Sequence, residues 1–309
     1  MSGFDGTVID YLTIRRALGH NLDDAARLLP RFVDWMDAGG HQVVTVALAL
    51  EWSTIPAIEH GSTVHARRMT AVRGFSKYLH GIDPACEIPP VGLILNHKHR
   101  VVPYLFSAVE ISALMTAAST LPTPLRAATY ETVFGLLAVT GMRIGEAIRL
   151  DRNDINWQAA LVVVRKSKFG KSREVAVQPS TLAALAAYLD VRDRHCPQSV
   201  SPAVFVSRTG NRIDYANACT VFSALRDIAG LRPRSRSCRP TIHSLRHSFA
   251  VNTLTDWYSQ DLDIGPRLAW LSTYLGHAGP VSTYWYLTAS PELMALAARR
   301  VEHALTVPS

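Results

Sequence analysis

The chain has 309 residues, which at about 150 residues per domain predicts two domains with full hydrophobic cores. Lysine and arginine outnumber aspartate and glutamate by 32 to 25, and an isoelectric point near 9.4 favours an acidic partner, either a nucleic acid or a membrane surface. Only 18% of the residues are charged and 48% are hydrophobic, so the composition excludes a chain that is mainly a disordered basic tail.

The excess positive charge lies in the second part of the chain. Residues 1–100 carry 10 basic and 10 acidic side chains, whereas residues 101–309 carry 22 and 15. Between Arg165 and Arg246, 15 basic residues accompany only 5 acidic residues. A polyanion would therefore be attracted first to this segment.

Cysteine spacing and hydropathy indicate the cellular compartment. The four cysteines form no C-x-x-C pair, which argues against a disulfide framework and a structural zinc site. The N-terminal stretch lacks the basic start and apolar core of a signal peptide, and no stretch reaches about 18 uninterrupted apolar residues. We therefore expect a soluble, cytoplasmic protein without membrane contact, associated with the nucleoid if DNA is its partner. The cysteines are Cys86, Cys196, Cys219 and Cys238.

Residues 1–85 are predicted to form a small helical domain. Apolar residues from Asn21 recur at helical spacing and stop at Gly39–Gly40, a second apolar stretch spans residues 42–52, and a third helix lies within residues 61–82. No acidic residue occurs in that third segment, so its basic side chains form either a solvated face or a helix laid against DNA phosphates. These side chains are Arg67, Arg68, Arg73 and Lys77.

A proline-rich segment follows the helical domain. Residues 83–103 contain four prolines and no helical period, and we predict an interdomain linker over residues 86–104. The second domain, residues 105–309, begins with Ser107 three residues before Glu110, the spacing of a capping box.

The second domain is predicted to be mainly helical with a small antiparallel sheet. A helical stretch over residues 129–150 is interrupted by Thr140–Gly141, and β-branched runs at residues 161–166 and 173–177 flank a glycine-containing loop, as in a β-hairpin. Helical patterns return after residue 180. The C-terminal segment 291–305 has one apolar stripe, made of Leu293, Leu296, Ala297, Val301 and Leu305.

Three segments concentrate polar groups in apolar surroundings. TGMRIGEAIRL places Arg143 after a tight glycine turn. HSLRHSFA sets His243 and Arg246 three residues apart, on one face of a helix. In LGHAGPVSTYWYL, His277 precedes Tyr286 by nine residues.

Each of these residues alone has an ordinary structural explanation. An arginine near a helix start often makes a surface ion pair, and a single histidine or tyrosine is often only packed. Together, two arginines, two histidines, a lysine in a hairpin loop and a late tyrosine supply what phosphoryl transfer to a tyrosine needs. Guanidinium groups bind phosphate oxygens, histidine and lysine move protons, and tyrosine is the nucleophile.

The set resembles the catalytic residues of the tyrosine recombinases, also called the phage integrase family. The resemblance covers about residues 105–290, and the N-terminal helices look like the core-binding domain of that family. It implies a two-domain, C-shaped DNA clamp, mainly α with a small antiparallel β-sheet, in which a helical, SAM-like core-binding domain precedes a mixed α/β catalytic domain. The six residues that carry it are Arg143, Lys168, His243, Arg246, His277 and Tyr286.

The resemblance also implies the nucleophile and the phosphate ligands. Tyr286 would attack a DNA phosphodiester, leaving a 3′-phosphotyrosine and a 5′-hydroxyl. Tyr284 and Trp285 are adjacent competitors, and Tyr284 is interpreted as a packing residue. Arg143 and Arg246 would bind the non-bridging oxygens through a bidentate geometry that lysine cannot reproduce.

Proton transfer involves the remaining residues of the set. His243 is placed to accept the tyrosine proton and His277 to hydrogen-bond the phosphate, although the division of these roles stays open. Lys168 aligns with the lysine that would protonate the leaving 5′-oxygen. Lys166 and Lys171 lie in the same hairpin, and Lys171 is then interpreted as a DNA-backbone contact.

Supporting and DNA-binding residues complete the prediction. Glu146 is expected to orient the turn after Arg143, or else to be a first-turn acid favoured by the helix dipole. His247 is expected to support Arg246. The arginine-rich run before HSLRH is expected to contact the DNA backbone, with a localisation-like tract or a solvated loop as alternatives. The predicted DNA-binding residues outside the N-terminal helix are Lys166, Lys171, Arg173, Arg232, Arg234, Arg236 and Arg239.

The implied reaction requires neither metal nor cofactor, because the phosphotyrosine bond conserves the energy of the broken phosphodiester. The implied partners are double-stranded DNA with specific recombination sites, a Holliday junction intermediate, and three further copies of the chain in a homotetramer held by the C-terminal helix. A mobile-element integrase or transposase is favoured over a chromosome-dimer resolvase, and partner recombinases of the same element are a further possibility. Two alternatives stay open: a type IB topoisomerase and a non-catalytic DNA-binding accessory protein.

Overall fold

The computed structural model describes residues 3–56, 63–94, 102–165, 172–277, 279, 281–287 and 290–306. Its fold is mainly α with one three-stranded antiparallel sheet, as the sequence predicts. The chain divides into two compact units, residues 1–100 and 101–309. The assignment of these units as a core-binding and a catalytic domain stays a prediction.

The first unit contains four described helices: α1 (Gly3–Ala17), α2 (Asp23–Ala38), α3 (Val46–Thr54) and α4 (Val64–His80). The apolar stripe of α2 supplies the fully buried Leu29, Phe32 and Met36, which meet Val72 and Phe75 of α4. Helices α2 and α4 therefore form the centre of this unit.

Helix boundaries in the first unit depend on local capping. Helix α3 begins four residues later than the predicted stretch because Thr45 accepts a hydrogen bond from the Leu48 amide, 3.2 Å away, and so caps it. Helix α1 was not predicted, since its buried side chains are only Val8, Tyr11 and Leu12, too few for a clear stripe.

Parts of the predicted linker pack against the two units. Cys86 is buried in the first core, and the Glu87 carboxylate accepts a hydrogen bond of 2.7 Å from the Val46 amide. At the other end of the linker, Tyr104 is buried in the core of the second unit, as is Phe106 just beyond it. The intervening residues 95–101 lie outside the described part of the chain.

The second unit begins with α5 (Ala108–Ser119), α6 (Pro124–Thr140) and α7 (Ile144–Ile148). The predicted capping box is present, because Ser107 accepts from the Glu110 amide while the Glu110 carboxylate accepts from the Ser107 amide. Helix α6 ends at Gly141, whose φ of 61° is the left-handed conformation that glycine tolerates best.

The sheet consists of β1 (Ile155–Asn156), β2 (Leu161–Val164) and β3 (Arg173–Ala176), in the order β1-β2-β3. Val162 lies opposite Val175, and both are completely buried. This confirms the predicted pairing of the two β-branched runs, to which β1 is an addition.

Six further helices surround the sheet and α6: α8 (Pro179–His195), α9 (Tyr215–Ile228), α10 (Ile242–Ser259), α11 (Ile264–Leu275), α12 (Val281–Leu287) and α13 (Pro291–Thr306). One apolar core joins the sheet to α5–α9, and a second joins α10 to the helices that follow it. Helix α13 packs against α10 of the same chain, and Leu293 at its start is completely buried in that second core.

Candidate nucleotidyl-transfer site

Arg246 joins two distant turns at the centre of the site. Its guanidinium donates to the Gly141 carbonyl (2.8 Å) and to the Leu275 carbonyl (2.7 Å), although these residues are far apart in the sequence. Only 1% of Arg246 is exposed, and burial followed by the charge of Arg143 lowers its pKa to about 10, so it remains cationic at neutral pH. The turns that end α6 and α11 are therefore held on a buried positive charge.

Two glycines make this close approach possible. Gly141 follows α6 and Gly276 follows α11, and both have a positive φ. A Cβ atom on Gly141 would lie 2.5 Å from Phe249 Cδ1 and 2.9 Å from Leu275 Cδ2. The glycine in each motif is thus required for both backbone conformation and space.

Arg143 lies at the N-terminus of α7 and is held by Glu146. Its backbone amide donates to Glu146 Oε2 and its Nη1 to Oε1, both at 2.9 Å. Burial by itself would raise the pKa of Glu146, but hydrogen bonds and positive charge from Arg173 and Arg143 lower it to about 2. Glu146 is therefore an ionised carboxylate between two arginines, and the Arg143 side chain stays 30% exposed.

Arg173 corrects one sequence prediction, because it is not displayed for a DNA contact. Its side chain is only 9% exposed, and it donates to both oxygens of Glu146 at 3.1 and 2.8 Å. Its Nε donates to the Tyr274 carbonyl at 2.7 Å. All three guanidinium nitrogens are thus engaged within the protein.

Two histidines project from the first turns of α10. His243 is solvent-exposed, yet the surrounding protein and the charges of Arg246 and Arg143 lower its pKa below 6.5. The ring of His247 lies 4.5 Å from that of His243, and burial followed by neighbouring positive groups lowers the pKa of His247 to about 3. Both rings are therefore predominantly neutral at neutral pH, and His243 is able to accept a proton.

Tyr286 lies on α12 and is packed among imidazoles. Its ring centroid is 5.6 Å from that of His247 and 6.0 Å from that of His277. Burial raises the pKa of Tyr286, while the charges of Arg246 and Arg143 act in the opposite direction. The phenol is therefore protonated at neutral pH and needs a base before it can attack.

His277 is oriented by a residue that sequence reasoning did not identify. Its Nδ1 is 2.7 Å from Oγ1 of Thr283, which is completely buried on the same helix as Tyr286. Burial, followed by the charges of Arg246 and Arg143, lowers the pKa of His277 to about 4. A hydroxyl residue one helical turn before the tyrosine was the available sequence signal.

The competing tyrosine is in a different environment. Tyr284 is 50% exposed, whereas Tyr286 is 3% exposed. The interpretation of Tyr284 as a packing residue is therefore wrong, because its ring faces solvent. Trp285 is half-buried and contacts His247 with a centroid separation of 5.0 Å.

Three of the predicted functional residues are lysines between β2 and β3. Lys166, Lys168 and Lys171 all lie outside the described residues. Strands β2 and β3 on either side of this segment are described, and Arg165, which directly precedes it, is ion-paired with Asp154. The predicted role of Lys168 therefore stays a prediction.

The predicted basic face of α4 is mostly engaged within its own unit. Arg67 pairs with Asp24, Arg68 donates to the Ile55 carbonyl, and Arg73 donates to the carbonyls of two prolines. Lys77 is the one exposed residue among the four predicted DNA-binding residues of this helix, and the three arginines are partly buried. The structure therefore assigns these arginines internal contacts that their spacing in the sequence did not reveal.

The arginine-rich loop before α10, by contrast, faces solvent. All four of its arginines are exposed: Arg232, Arg234, Arg236 and Arg239. Arg234 lies 4.5 Å from the ring centroid of Tyr104 and donates to the Leu105 carbonyl, which fixes the start of the loop. A set of exposed cations thus leads directly into the helix that carries His243.

The described residues contain no group of three histidine, cysteine or carboxylate side chains arranged to hold a metal ion. Over the same part of the chain, none of the helices is both long and apolar enough to cross a membrane.

Comparison with known proteins identifies the relatives of this chain. The sequence profile of the Phage integrase family matches residues 105–292. The "Putative integrase/recombinase y4rB" of Sinorhizobium fredii is 42% identical over 308 residues, covering 98% of each chain. The fold is similar to that of a Tn1549 transposon integrase in complex with transposon right end DNA (TM-score 0.64, 12% identity, 96% and 98% of the two chains). It is also similar to that of lambda integrase in a tetramer bound to a Holliday junction (TM-score 0.58, 16% identity, 91% and 79%).

Proposed function

Because the chain belongs to the phage integrase family, we propose that it is a site-specific DNA recombinase whose nucleophile is Tyr286. The proposal rests on the proximity of three residues from separate helices or turns: Arg246, His277 and Tyr286. The buried positive charge of Arg246 lies at the centre of this group. A phosphodiester is the anionic substrate that this combination of guanidinium, imidazole and phenol suits.

Strand cleavage begins with deprotonation of the nucleophile. His243 takes the phenolic proton of Tyr286, and the oxygen attacks phosphorus to form a 3′-phosphotyrosine bond. The bond between phosphorus and the 5′-oxygen breaks, and Lys168 gives that oxygen a proton. Religation reverses the steps with a 5′-hydroxyl from another strand.

Charge stabilisation is assigned to the two arginines and His277. Arg143 and Arg246 bind the non-bridging oxygens, on which negative charge increases in the transition state. His277, oriented by Thr283, hydrogen-bonds the same phosphate. Arg246 and Tyr286 are only 1% and 3% exposed, so we expect DNA binding to open this part of the site before the phosphate reaches them.

A covalent adduct tests this function directly. A duplex site is first selected from random-sequence DNA by binding to the wild-type protein, then nicked a few nucleotides beyond each candidate scissile phosphate so that religation is lost. The wild-type protein should form a denaturant-resistant adduct, and Tyr286→Phe should form none.

Tyr284→Phe is the matched control, because it removes the same hydroxyl from an exposed tyrosine two residues away. It should form adduct as the wild type does. Specific binding without any adduct would favour a non-catalytic accessory protein, whereas relaxation of supercoiled plasmid without a recognised site would favour a topoisomerase.

The biological role is proposed at a finer level from the relatives. An integrase or transposase of a mobile element is supported by the 42% identical relative named as an integrase/recombinase and by the fold shared with a transposon integrase. A homotetramer acting through a Holliday junction is suggested by the lambda integrase complex of the same fold.

A test of the predicted role of the C-terminal helix in assembly requires a truncation that is shorter than removal of residues 291–309. Leu293 is buried in the apolar core that also contains Tyr286, so that deletion would also remove part of this core. A chain ending after Arg300 retains Leu293. If residues beyond Arg300 dock on a neighbour, this truncation should bind one site normally but fail to pair two, and normal recombination would contradict the docking.

A further inference from the structure

Arg173 connects three parts of the proposed site that are far apart in the sequence. It is the first residue of β3, pairs with Glu146 of α7 through two nitrogens, and holds the Tyr274 carbonyl at the end of α11 through the third. Lys168 precedes it by five residues in the sequence and lies outside the described part of the chain. A single side chain thus joins the strand after the lysine, the helix after Arg143 and the turn before His277.

We propose that Arg173 is a positioning residue for strand cleavage, which acts through Glu146 on Arg143 and through the end of α11 on His277. This inference rests on the function proposed above. According to this inference, Arg173 increases the rate of cleavage and does not contribute to the affinity for DNA.

The first half of the inference rests on how Arg143 and Arg173 share the two oxygens of the Glu146 carboxylate. Oε1 accepts from Nη1 of both Arg143 and Arg173, and Oε2 accepts from the Arg143 amide and from Arg173 Nη2. Because Arg173 binds both oxygens, the carboxylate is fixed in one orientation. Among the described contacts, the Arg143 side chain then uses only Nη1 to hold itself, and its other two nitrogens stay available for a phosphate.

Loss of Arg173 would change the behaviour of Arg143. The Glu146 side chain is 2% exposed, so an ionised carboxylate there requires a cation. With Arg173 absent, Arg143 becomes the remaining cation in contact with it, and the two would form a closed bidentate pair. Such a pair would draw the Arg143 guanidinium away from the phosphate.

The end of α11 carries the second half. Arg173 holds the Tyr274 carbonyl and Arg246 holds the next one, Leu275. At Gly276, where φ is 67°, an added Cβ would lie 2.7 Å from Arg173 Nη1. The turn into His277 is therefore packed directly on the Arg173 guanidinium.

The inference is tested by single-turnover adduct formation at saturating selected DNA, with DNA affinity measured separately. Arg173→Met keeps the bulk of the side chain and removes its charge, and Arg173→Lys keeps the charge but provides one point of contact. Glu146→Gln and the double variant with Arg173→Met test the route through Glu146. The double variant also leaves no unpaired buried carboxylate, so it guards against misfolding of the single variant.

The matched control is Arg232→Met, which removes an exposed arginine of the loop before α10. If that arginine binds a phosphate, its loss should weaken affinity and lower the salt dependence of binding by about one phosphate contact. Arg173→Met should do neither.

The variants are expected to differ in the rate of cleavage. Arg173→Met should bind DNA like the wild type and reach the same adduct amplitude, with a rate constant lower by about 10- to 100-fold. Arg173→Lys should recover part of the rate. The double variant should be no slower than Arg173→Met, because both substitutions break one path.

Several results would overturn the positioning role. The first three concern Arg173→Met: a wild-type cleavage rate, a loss of affinity and salt dependence like that of the Arg232 control, or a lower adduct amplitude at an unchanged rate. The fourth is a double variant whose loss of rate is the product of the losses in the two single variants. An absence of adduct from the wild-type protein is a different outcome, since it refutes the proposed function itself and the inference with it.

Discussion

Protonation of Glu146 should destabilise the second unit in a pH range that the structure defines. Burial opposes the ionised form, yet Arg173 and Arg143 lower the pKa of this carboxyl from its ordinary value of 4.5 to about 2. Since the folded protein holds this proton less tightly than the unfolded chain, ionised Glu146 stabilises the fold above pH 4.5. That contribution is lost as the pH falls towards 2.

The magnitude follows from the difference between the two pKa values. At about 1.4 kcal/mol per pH unit, a pKa lowered from 4.5 to about 2 corresponds to about 3 kcal/mol, of which about 2 kcal/mol is already lost at pH 3. Glu146→Gln cannot titrate and lacks this dependence. The difference in free energy of unfolding between wild type and Glu146→Gln should therefore shrink by about 2 kcal/mol between pH 6 and pH 3.

Urea unfolding, followed by circular dichroism at several pH values, measures this difference. Taking the difference between two proteins cancels the titration of carboxyl groups that the substitution does not affect. Glu131→Gln, which removes an exposed carboxylate on α6, is the matched control. A wild-type-minus-Glu146→Gln difference that stays constant from pH 6 to pH 3 would refute the reasoning.

Three other predictions concern the glycine turn and proton transfer. Gly141→Ala should lower the free energy of unfolding, measured by thermal unfolding, by at least about 2 kcal/mol, because the new Cβ would collide with Phe249. Gly40 has a similar φ but open space around it, so Gly40→Ala should cost only about 1 kcal/mol. Equal losses in the two variants would contradict the packing argument. Lys168→Ala should cleave normal DNA slowly, because the leaving 5′-oxygen then lacks its proton donor. On DNA with a 5′-bridging phosphorothiolate, whose thiol leaving group needs no proton, the variant should regain most of the cleavage rate. Equal impairment on both substrates would exclude the lysine as the acid. The surrounding protein and nearby arginines lower the pKa of His243, so the acid limb of the cleavage rate should lie below pH 6.5 in the wild type. An acid limb that is unchanged in His243→Ala would assign the base elsewhere.

Local sequence patterns were sufficient for much of the fold. The apolar repeat of α2, the capping box at Ser107 and the paired β-branched runs each predicted an element that the structure contains. Such features depend on residues within a few positions of one another. Helix α1 is not predicted from the sequence because its buried side chains, Val8, Tyr11 and Leu12, are too few to form a clear apolar stripe.

The assignment of roles to arginines was less predictable. Arg67, Arg68 and Arg73 looked like a basic face because no acid lies nearby in the sequence, yet Asp24 and several backbone carbonyls bind them in the folded unit. Arg173 was likewise predicted to contact DNA, yet the Glu146 carboxylate and the Tyr274 carbonyl bind it in the folded unit. A sequence gives the charge of a long side chain, but its partner depends on which distant segments approach it.

The sequence by itself determined the family resemblance, the helical character and the order of the reacting groups, because motifs and helical periodicity are encoded locally. Tertiary structure decided which groups share an environment. It brought the carbonyls of Gly141 and Leu275 to Arg246, buried Tyr286 while exposing Tyr284, and gave Glu146 two cations. The physical reason is that desolvation, charge pairing and hydrogen bonding act through space, between residues whose proximity exists only once the chain is folded.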